Sequence, residues 1–492
     1  MKLLLHFDVN KTIIIRDADV PVPEMVNSLL SESVWGWFVN VESLAAHYEC
    51  SCETVQELLS DSDILCAPFS KRDERHWHIL SSEVSSLPLV PPESIVQKVL
   101  ELLKATHLPN SVEPFYAGMH VVTFGEYLEE HTFVEKSHRK RLKSQFTDSH
   151  GMGSSARLKW EELVEQLTVT SDIGSHTFLP TFSGVRYVGI VPSFFVLAEY
   201  LAVKQAQGEL DFRLVLRTFG SDLEAVADEW NLWCKNEHPM YKLGKGDKGQ
   251  QLRFDGTVDG FADRRLYLDT YSAGIHRSGL ESTDIQMNIS TDTFLSSESS
   301  CSQEVICGGW AIMQRLLGDW LGPGKAYTVA IRDDYRFWAS TQEACHAGKL
   351  FALTLRQHLW HCADSNATPD PFSSDGKSCP ASTHCWSCLH SPEPSIVQMF
   401  FDDNIERNRA HIVDVRYGPD DPQACACQAS TAAHRHLLHV DTQSFWSTHG
   451  QAPPYLRKVQ PVQAILDKQY YVREVQNYVN DISKHLRKKT IL

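Results

Sequence analysis

The chain has 492 residues, 42% hydrophobic and 22% charged, a composition of globular type with length for about two to four domains. Lys and Arg number 46 against 62 Asp and Glu, a formal net charge of −16. That balance speaks against a general binder of nucleic acid or of an anionic membrane, and it requires any phosphate-bearing ligand to meet a locally positive pocket or a metal. The opening residues Met1 to Asp8 reach a charge too soon for a signal peptide, and no uninterrupted apolar run approaches the ~20 residues of a membrane helix. The expected compartment is the cytoplasm, where the 13 cysteines stay mostly reduced.

Leu3 to Phe7 reads as a buried strand that delivers Asp8 at its C-terminal end, followed by Val9-Asn10-Lys11-Thr12. A continuous apolar run ending in a carboxylate is how parallel α/β sheets present chemistry. Residues 27–39 and 53–59 read as helices, and Pro91-Pro92-Glu93-Ser94 opens another that carries Ile95, Val96, Val99, Leu100, Leu102 and Leu103. Residues 137–144 contain His138, Arg139, Lys140, Arg141 and Lys143, either a solvated helix face or an electropositive lid over a phosphate. Residues 193–206 form a further helix with Phe194, Phe195, Leu197 and Leu201 along it.

Phe212 to Leu216 is a second apolar strand, running into Thr218-Phe219-Gly220. Ser221 or Asp222 then caps a helix through Leu223, Val226, Ala227, Trp230 and Leu232. The turn Gly244-Lys245-Gly246-Asp247-Lys248-Gly249 lacks the Gly-Lys-Ser/Thr ending of a P-loop. Residues 296–302 are a Ser-rich loop, and residues 303–321 read as a buried helix with Trp310 and Trp320. Ala326 to Ile331 is a strand that ends at Asp333-Asp334. Residues 363–395 contain Cys379, Cys385, Cys388 and His390, with Cys425, Cys427, His434 and His436 further on. Such a set can build a tetrahedral zinc site or remain reduced thiols. Val397 to Phe401 is a strand ending in the pair Asp402-Asp403, which needs a cation or donors to offset its repulsion. Residues 411–415 read as the next strand of the sheet, and residues 460–489 as an amphipathic helix.

Taken in order, Asp8, Thr218, Lys349 and the pair Asp402-Asp403 resemble the four motifs of the haloacid-dehalogenase-like (HAD) superfamily. The resemblance implies an α/β fold, a HAD-like Rossmannoid parallel-sheet core made of residues 1–17, 186–235 and 323–459. It implies a large helix-rich cap inserted at 18–185 and a second, smaller insertion at 236–322, beside a Cys-rich loop at 363–395 and a C-terminal helix at 460–492. Asp8 would be the nucleophile that becomes an aspartyl phosphate, with Thr218 and Lys349 holding the phosphoryl group. Asp8, Asn10 (through its backbone carbonyl), Asp402 and Asp403 would anchor Mg²⁺, a cation that prefers oxygen ligands. Thr12, Phe219 and Gly220 would join Thr218 at the substrate, a small phosphorylated molecule. Lys242, Lys245 and Lys248 rival Lys349 for its role, and Asp333-Asp334 rival the acid pair.

The chain departs from the family at Asn10, where most members carry the Asp that protonates the leaving oxygen and later activates water. An amide has no proton to exchange near neutral pH, and losing such a group costs ~10²–10⁴-fold in rate. His6, Asp333 or the inserted domain could supply a replacement. The expected function is a Mg²⁺-dependent phosphohydrolase or phosphotransferase; the alternative is a weak or inactive relative that binds a phosphorylated ligand or a protein.

Overall fold

A computed structural model of the chain describes residues 2–15, 20–39, 77–79, 119–132, 134–170, 179–245, 249–289, 304–322, 324–342, 347–354, 396–405, 412–418, 438–439 and 453–490. Its centre is an eight-stranded sheet. In chain order its strands are β1 (Lys2–Asp8), β7 (Asp211–Thr218), β8 (Ser272–Arg277), β9 (Ile285–Ile289), β10 (Glu304–Cys307), β11 (Thr328–Arg332), β13 (Ile396–Asp402) and β16 (Leu456–Lys458). Across the sheet the order is β10-β9-β8-β11-β7-β1-β13-β16. The pairings from β8 to β16 are parallel, and β9 and β10 extend one edge antiparallel.

The apolar runs explain why these strands lie in the interior. Leu3, Leu5 and Phe7 face one side, with Phe212, Leu214, Leu216, Val397 and Met399 in the same core. Leu4, Val215, Val329 and Ile331 face the other. Strands buried on both faces need apolar residues at every position rather than at alternate ones. The first core is covered by helices α5 (Pro192–Ala206), α6 (Leu223–Cys234), α9 (Pro461–Leu466) and α10 (Tyr470–Thr490). The second is covered by α7 (Gly309–Gln314, continued by a π-helix at Arg315–Trp320) and by the edge of a small sheet. That small sheet has the order β12-β14-β15, from Lys349–Thr354, Val413–Gly418 and Leu438–His439.

Two side chains of the main sheet hold β12 over the second face. Arg217 Nη1 donates to the Leu350 carbonyl at 2.7 Å, and Gln398 Nε2 donates to the Ala352 carbonyl at 2.8 Å. At the far side of the small sheet, Asp414 of β14 accepts from Arg277 of β8 and from its own neighbour Arg416, each at 2.9 Å.

The inserted region between β1 and β7 contributes α1 (Val22–Ser31), the antiparallel sheet β3-β2-β4 (His78–Ile79, Trp35–Val39, Met119–Thr123), α2 (Phe124–Glu130), α3 (Lys136–Ser144), α4 (Arg157–Leu167) and the hairpin β5-β6 (Thr181–Phe182, Val185–Arg186). Helix α8 (Tyr335–Ser340) follows β11. No helix among the described residues is long and apolar enough to cross a membrane.

Several expectations are corrected. The helix expected over 27–39 begins earlier, with Pro23 in its first turn, and ends at Ser31; Trp35–Val39 is strand β2, as aromatic and β-branched side chains favour. The helix expected over 303–321 starts only at Gly309. Glu304–Cys307 is edge strand β10, and Gly308 at φ 91° breaks the chain between them. Residues 236–322, expected as an insertion, supply β8, β9 and β10 to the main sheet itself. The strand expected next to β13 lies in the small sheet: β14 alternates apolar residues with Asp414 and Arg416, and short β16 takes the vacant edge of the main sheet. The C-terminal helix is two helices, parted where Asp467 accepts from the Gln469 N–H. The helices expected at 53–59 and after Pro91, and the cysteine and histidine set from Cys379 to His436, lie outside the described residues.

Replacing Asp414 with Ala would leave Arg277 and Arg416 buried without their carboxylate. A loss of ~3–5 kcal/mol is expected for breaking a buried pair on one side, read from the urea midpoint of unfolding. A loss below about 1 kcal/mol would show that the small sheet is not fastened through this residue.

Candidate active site

The chain order of the parallel strands fixes where a site can form. From β1 the sheet grows in one direction through β7 and β11 and in the other through β13 and β16. Such a reversal opens a crevice outside the carboxyl ends of the strands. Asp8 and Asp402 are the last residues of β1 and β13, adjacent in the sheet, and Asp403 follows at once. One carboxylate oxygen from each of the three lies within 4.8 Å of the others.

Lys349, the first residue of β12, comes down on this group from above the sheet. Its Nζ donates to Asp8 Oδ1 at 2.5 Å and to Asp402 Oδ2 at 2.8 Å, with all three side chains buried. Asp402 Oδ1 accepts from the Asn404 N–H at 2.8 Å, and Asp403 Oδ1 from Asn404 Nδ2 at 2.9 Å. Burial pushes the Asp8 carboxyl up to about 7, against the pull of Lys349 and with the help of Asp402. Burial and then Asp402 hold Asp403 well above the usual carboxylate range. Burial would lower Lys349, but Asp402 and Asp8 keep it above its ordinary value. Lys349 thus faces Asp8 and Asp402 while Lys11 draws on Asp403, and burial first, repulsion between the carboxylates second, raises the Asp8 and Asp403 carboxyls. All-oxygen donors this close are suited to a hard divalent cation.

Thr218 ends β7 next to β1. Its Oγ1 accepts from the Gly220 N–H at 2.8 Å, which leaves its own proton to donate. Thr218, Phe219 and Gly220 line a cleft of about 670 Å³ together with Asp8, Asn10, Lys349 and Asp403. Thr12 is not at the cleft surface. It is fully enclosed, its Oγ1 accepts from the Asp403 N–H at 3.2 Å, and its carbonyl accepts from the Tyr471 hydroxyl at 2.6 Å. Thr12 therefore positions Asp403. Asn10 Oδ1 is buried and has no hydrogen-bond partner among the described residues.

The rival residues are engaged elsewhere. Asp333 forms a buried two-pronged pair with Arg217, at 2.9 and 2.5 Å. Asp334 caps α8 by accepting from the Phe337 N–H at 3.0 Å, and it also accepts from the Arg277 N–H at 3.1 Å. Lys242 and Lys245 are exposed and outside the cleft lining, and Lys248 lies outside the described residues. His6 lies on the same face of β1 as Asp8, one pleat deeper. It stacks on Phe400 with Phe351 at its edge, and burial together with Arg217 holds it neutral, well below the ordinary histidine value. His6 and Asp333 are both buried and do not line the cleft.

Some residues of the cleft escaped the reading of the sequence. Lys11 adopts a left-handed backbone at φ 56°, unusual for a residue with a side chain. Its Nζ reaches both oxygens of Glu32 at 3.0 and 2.9 Å. Glu32 also accepts from Lys143 at 3.2 Å, and Lys143 donates to Glu129 at 2.6 Å. This chain of charges ties the loop after Asp8 to α1, α2 and α3. Helix α2 comes close at Gly125, where a Cβ would lie 2.9 Å from Glu32 Cγ. Of the basic stretch expected as a lid, only Lys143 lines the cleft, and there it is paired. The aromatic pair Tyr335 and Trp338 completes the wall opposite. Comparison of the chain with protein-family models, curated proteins and solved structures returns no match.

The raised carboxyl of Asp8 sets the sign of a pH effect. The folded protein holds that proton more tightly than the unfolded chain, whose carboxyl titrates near ~4. The stability it contributes is complete below about pH 4 and is lost as pH rises to about 7; Asp403 acts in the same sense. In chelator-treated protein the Tm is expected to fall between about pH 5 and pH 7, and Asp8→Asn should flatten that fall. A level Tm in the wild type across this window would contradict the buried cluster of like charges.

Proposed function

We propose that this chain is a Mg²⁺-dependent phosphotransferase or phosphohydrolase of HAD-like type that acts on a small phosphomonoester. The observation that carries the proposal is the meeting of Asp8, Asp402, Asp403 and Lys349 at the carboxyl ends of adjacent strands, with Thr218 in the same cleft. Sequence order alone had suggested this set, and its members come from segments up to about 400 residues apart. The position of the Asp8–Asp402 pair at the reversal of strand order supports the reading further.

In this proposal the Asp8 carboxylate attacks phosphorus. A carboxylate–phosphorus bond forms, the ester bond to phosphorus breaks, and its electron pair leaves on the ester oxygen. Lys349 offsets the charge gathered around Asp8, and the Thr218 hydroxyl donates to a phosphoryl oxygen. The aspartyl phosphate then passes its phosphoryl group to water or to an acceptor hydroxyl, which restores the carboxylate. Asp8, Asp402 and Asp403 would hold Mg²⁺, which when bound neutralises phosphoryl oxygens and supplies electrostatic stabilisation.

The proton of the leaving oxygen is the weak point. Asn10 cannot give it, and His6 and Asp333 are engaged in the sheet. Departure without a general acid favours leaving groups that are stable as anions, and without a general base the phosphoenzyme is slow to hydrolyse. A phosphoenzyme that water clears slowly gives a bound acceptor hydroxyl time to compete, its proton passing to solvent as the carboxylate is restored. Asn10 also supports the second reading, a relative that binds a phosphorylated ligand with little turnover.

The test is phosphate release from a panel of phosphomonoesters with and without Mg²⁺, together with acid-quenched detection of phosphorylated protein. Mg²⁺-dependent turnover or phosphoprotein is expected in the wild type and absent in Asp8→Asn. Asn10→Asp is expected to raise hydrolysis by ~10²–10⁴-fold, the usual worth of a positioned acid/base. Neither turnover nor phosphoprotein in folded wild-type protein would leave the binding reading in its place.

A further inference from the structure

The walls of the cleft differ in chemistry, and the difference bears on what is attached to the phosphate. Beyond Lys349 stands an aromatic wall. The Phe219 ring lies 5.2 Å from Lys349 Nζ, stacks on Trp338 at 5.3 Å between centroids and 19° between planes, and meets Tyr335 edge-on at 5.9 Å. Tyr335 and Trp338 are 5.9 Å apart. All three rings line the cleft, and Tyr335 is 51% exposed.

The opposite wall is charged but not cationic. Six acidic residues and four lysines line the cleft. Lys11 and Lys143 are paired with Glu32 and Glu129, and Lys349 with Asp8 and Asp402. A second phosphate beyond the first would face an excess of carboxylates, whereas a flat uncharged ring would find Phe219 at 5.2 Å from Lys349 Nζ and Trp338 and Tyr335 one ring further out. Ring centroids at 4.5–7 Å are the favourable range for such contacts.

We propose that the ligand of this cleft is a small monophosphate ester whose oxygen carries, directly or through one carbon, a flat uncharged ring that seats on Tyr335, Trp338 and Phe219. This rests on the proposed function only in placing the phosphoryl group at Lys349 and Thr218. A ring borne directly on the ester oxygen also fits a site with Asn10, because an aryl oxygen leaves as a stabilised anion and depends less on a general acid; a ring one carbon away keeps only the stacking contact.

The experiment is calorimetric titration of the full chain, with Mg²⁺ present, using phenyl phosphate, benzyl phosphate and propyl phosphate. The ring-bearing esters are expected to bind about tenfold tighter than propyl phosphate, the size of one good stacking contact with its burial. Tyr335→Ala, at a half-exposed position, should close most of that gap and leave propyl phosphate unchanged; Trp338→Leu should do the same. Adenosine diphosphate should bind no tighter than adenosine monophosphate. Equal affinity for the three esters, an unchanged gap in both variants, or no binding of any ester overturns the inference. A phosphotyrosyl peptide that binds tenfold tighter than phenyl phosphate would overturn the small-molecule assignment. Tight, variant-sensitive ring binding without turnover or phosphoprotein supports the ligand class while removing the catalytic reading.

Discussion

The ammonium of Lys349 between Asp8 and Asp402 is the contact on which the rest of the site depends. Three carboxylates at the ends of two adjacent strands would repel one another and strip the crevice of any defined geometry. A cation delivered from a second layer lets them remain close. That is why β12 is fastened twice to the main sheet, through Arg217 to Leu350 and Gln398 to Ala352. Arg217 is itself held by Asp333, so one member of the rival acid pair serves the placement of the lysine while the other, Asp334, caps α8.

The arrangement stores a charge imbalance that the fold must tolerate. Raised carboxyl values at Asp8 and Asp403 mean that the cluster, taken alone, opposes folding near neutral pH. The surrounding strands supply the compensation: β1, β7 and β13 are buried on both faces, with Phe7 stacked on Phe401 at 4.5 Å and closed off by Tyr471 and Phe194. A stable sheet carrying a strained cluster at its end is the usual division of labour between scaffold and site.

The inserted region shares the apolar core of the sheet and also joins the site through charge. Lys11 sits one residue from Asn10 and Thr12, and its left-handed backbone turns its side chain to Glu32 at the end of α1. From there Lys143 and Glu129 continue the chain of ion pairs to α3 and α2. A shift of these helices therefore changes the electrostatics at Lys11, next to Asp403's support Thr12 and coupled to Asp403 itself. Under the proposed function, this is the route by which ligand binding against the inserted helices would be felt at the carboxylates.

The sequence by itself determined the strands that end in chemistry. β1, β7, β11 and β13 are mostly apolar, with one polar residue in the interior of β1 and of β13 and two in that of β7, as strands covered on both faces require; Asp8, Thr218 and Asp402-Asp403 were legible at their ends for that reason. Lys349 was legible only by its order between the other motifs, since nothing local marks a lysine as buried. Sequence order favoured Asp402-Asp403 over Asp333-Asp334, and the tertiary structure brings the first pair to Asp8 and Lys349 and sets the second against Arg217 and α8. Tertiary structure also decided that Trp35–Val39 and Glu304–Cys307 pair as strands, a choice that depends on partners far along the chain. The aromatic wall and the Lys11–Glu32–Lys143 chain were invisible for the same physical reason. Each draws its members from separate segments, and a sequence records spacing along the chain, not the distances that folding makes short.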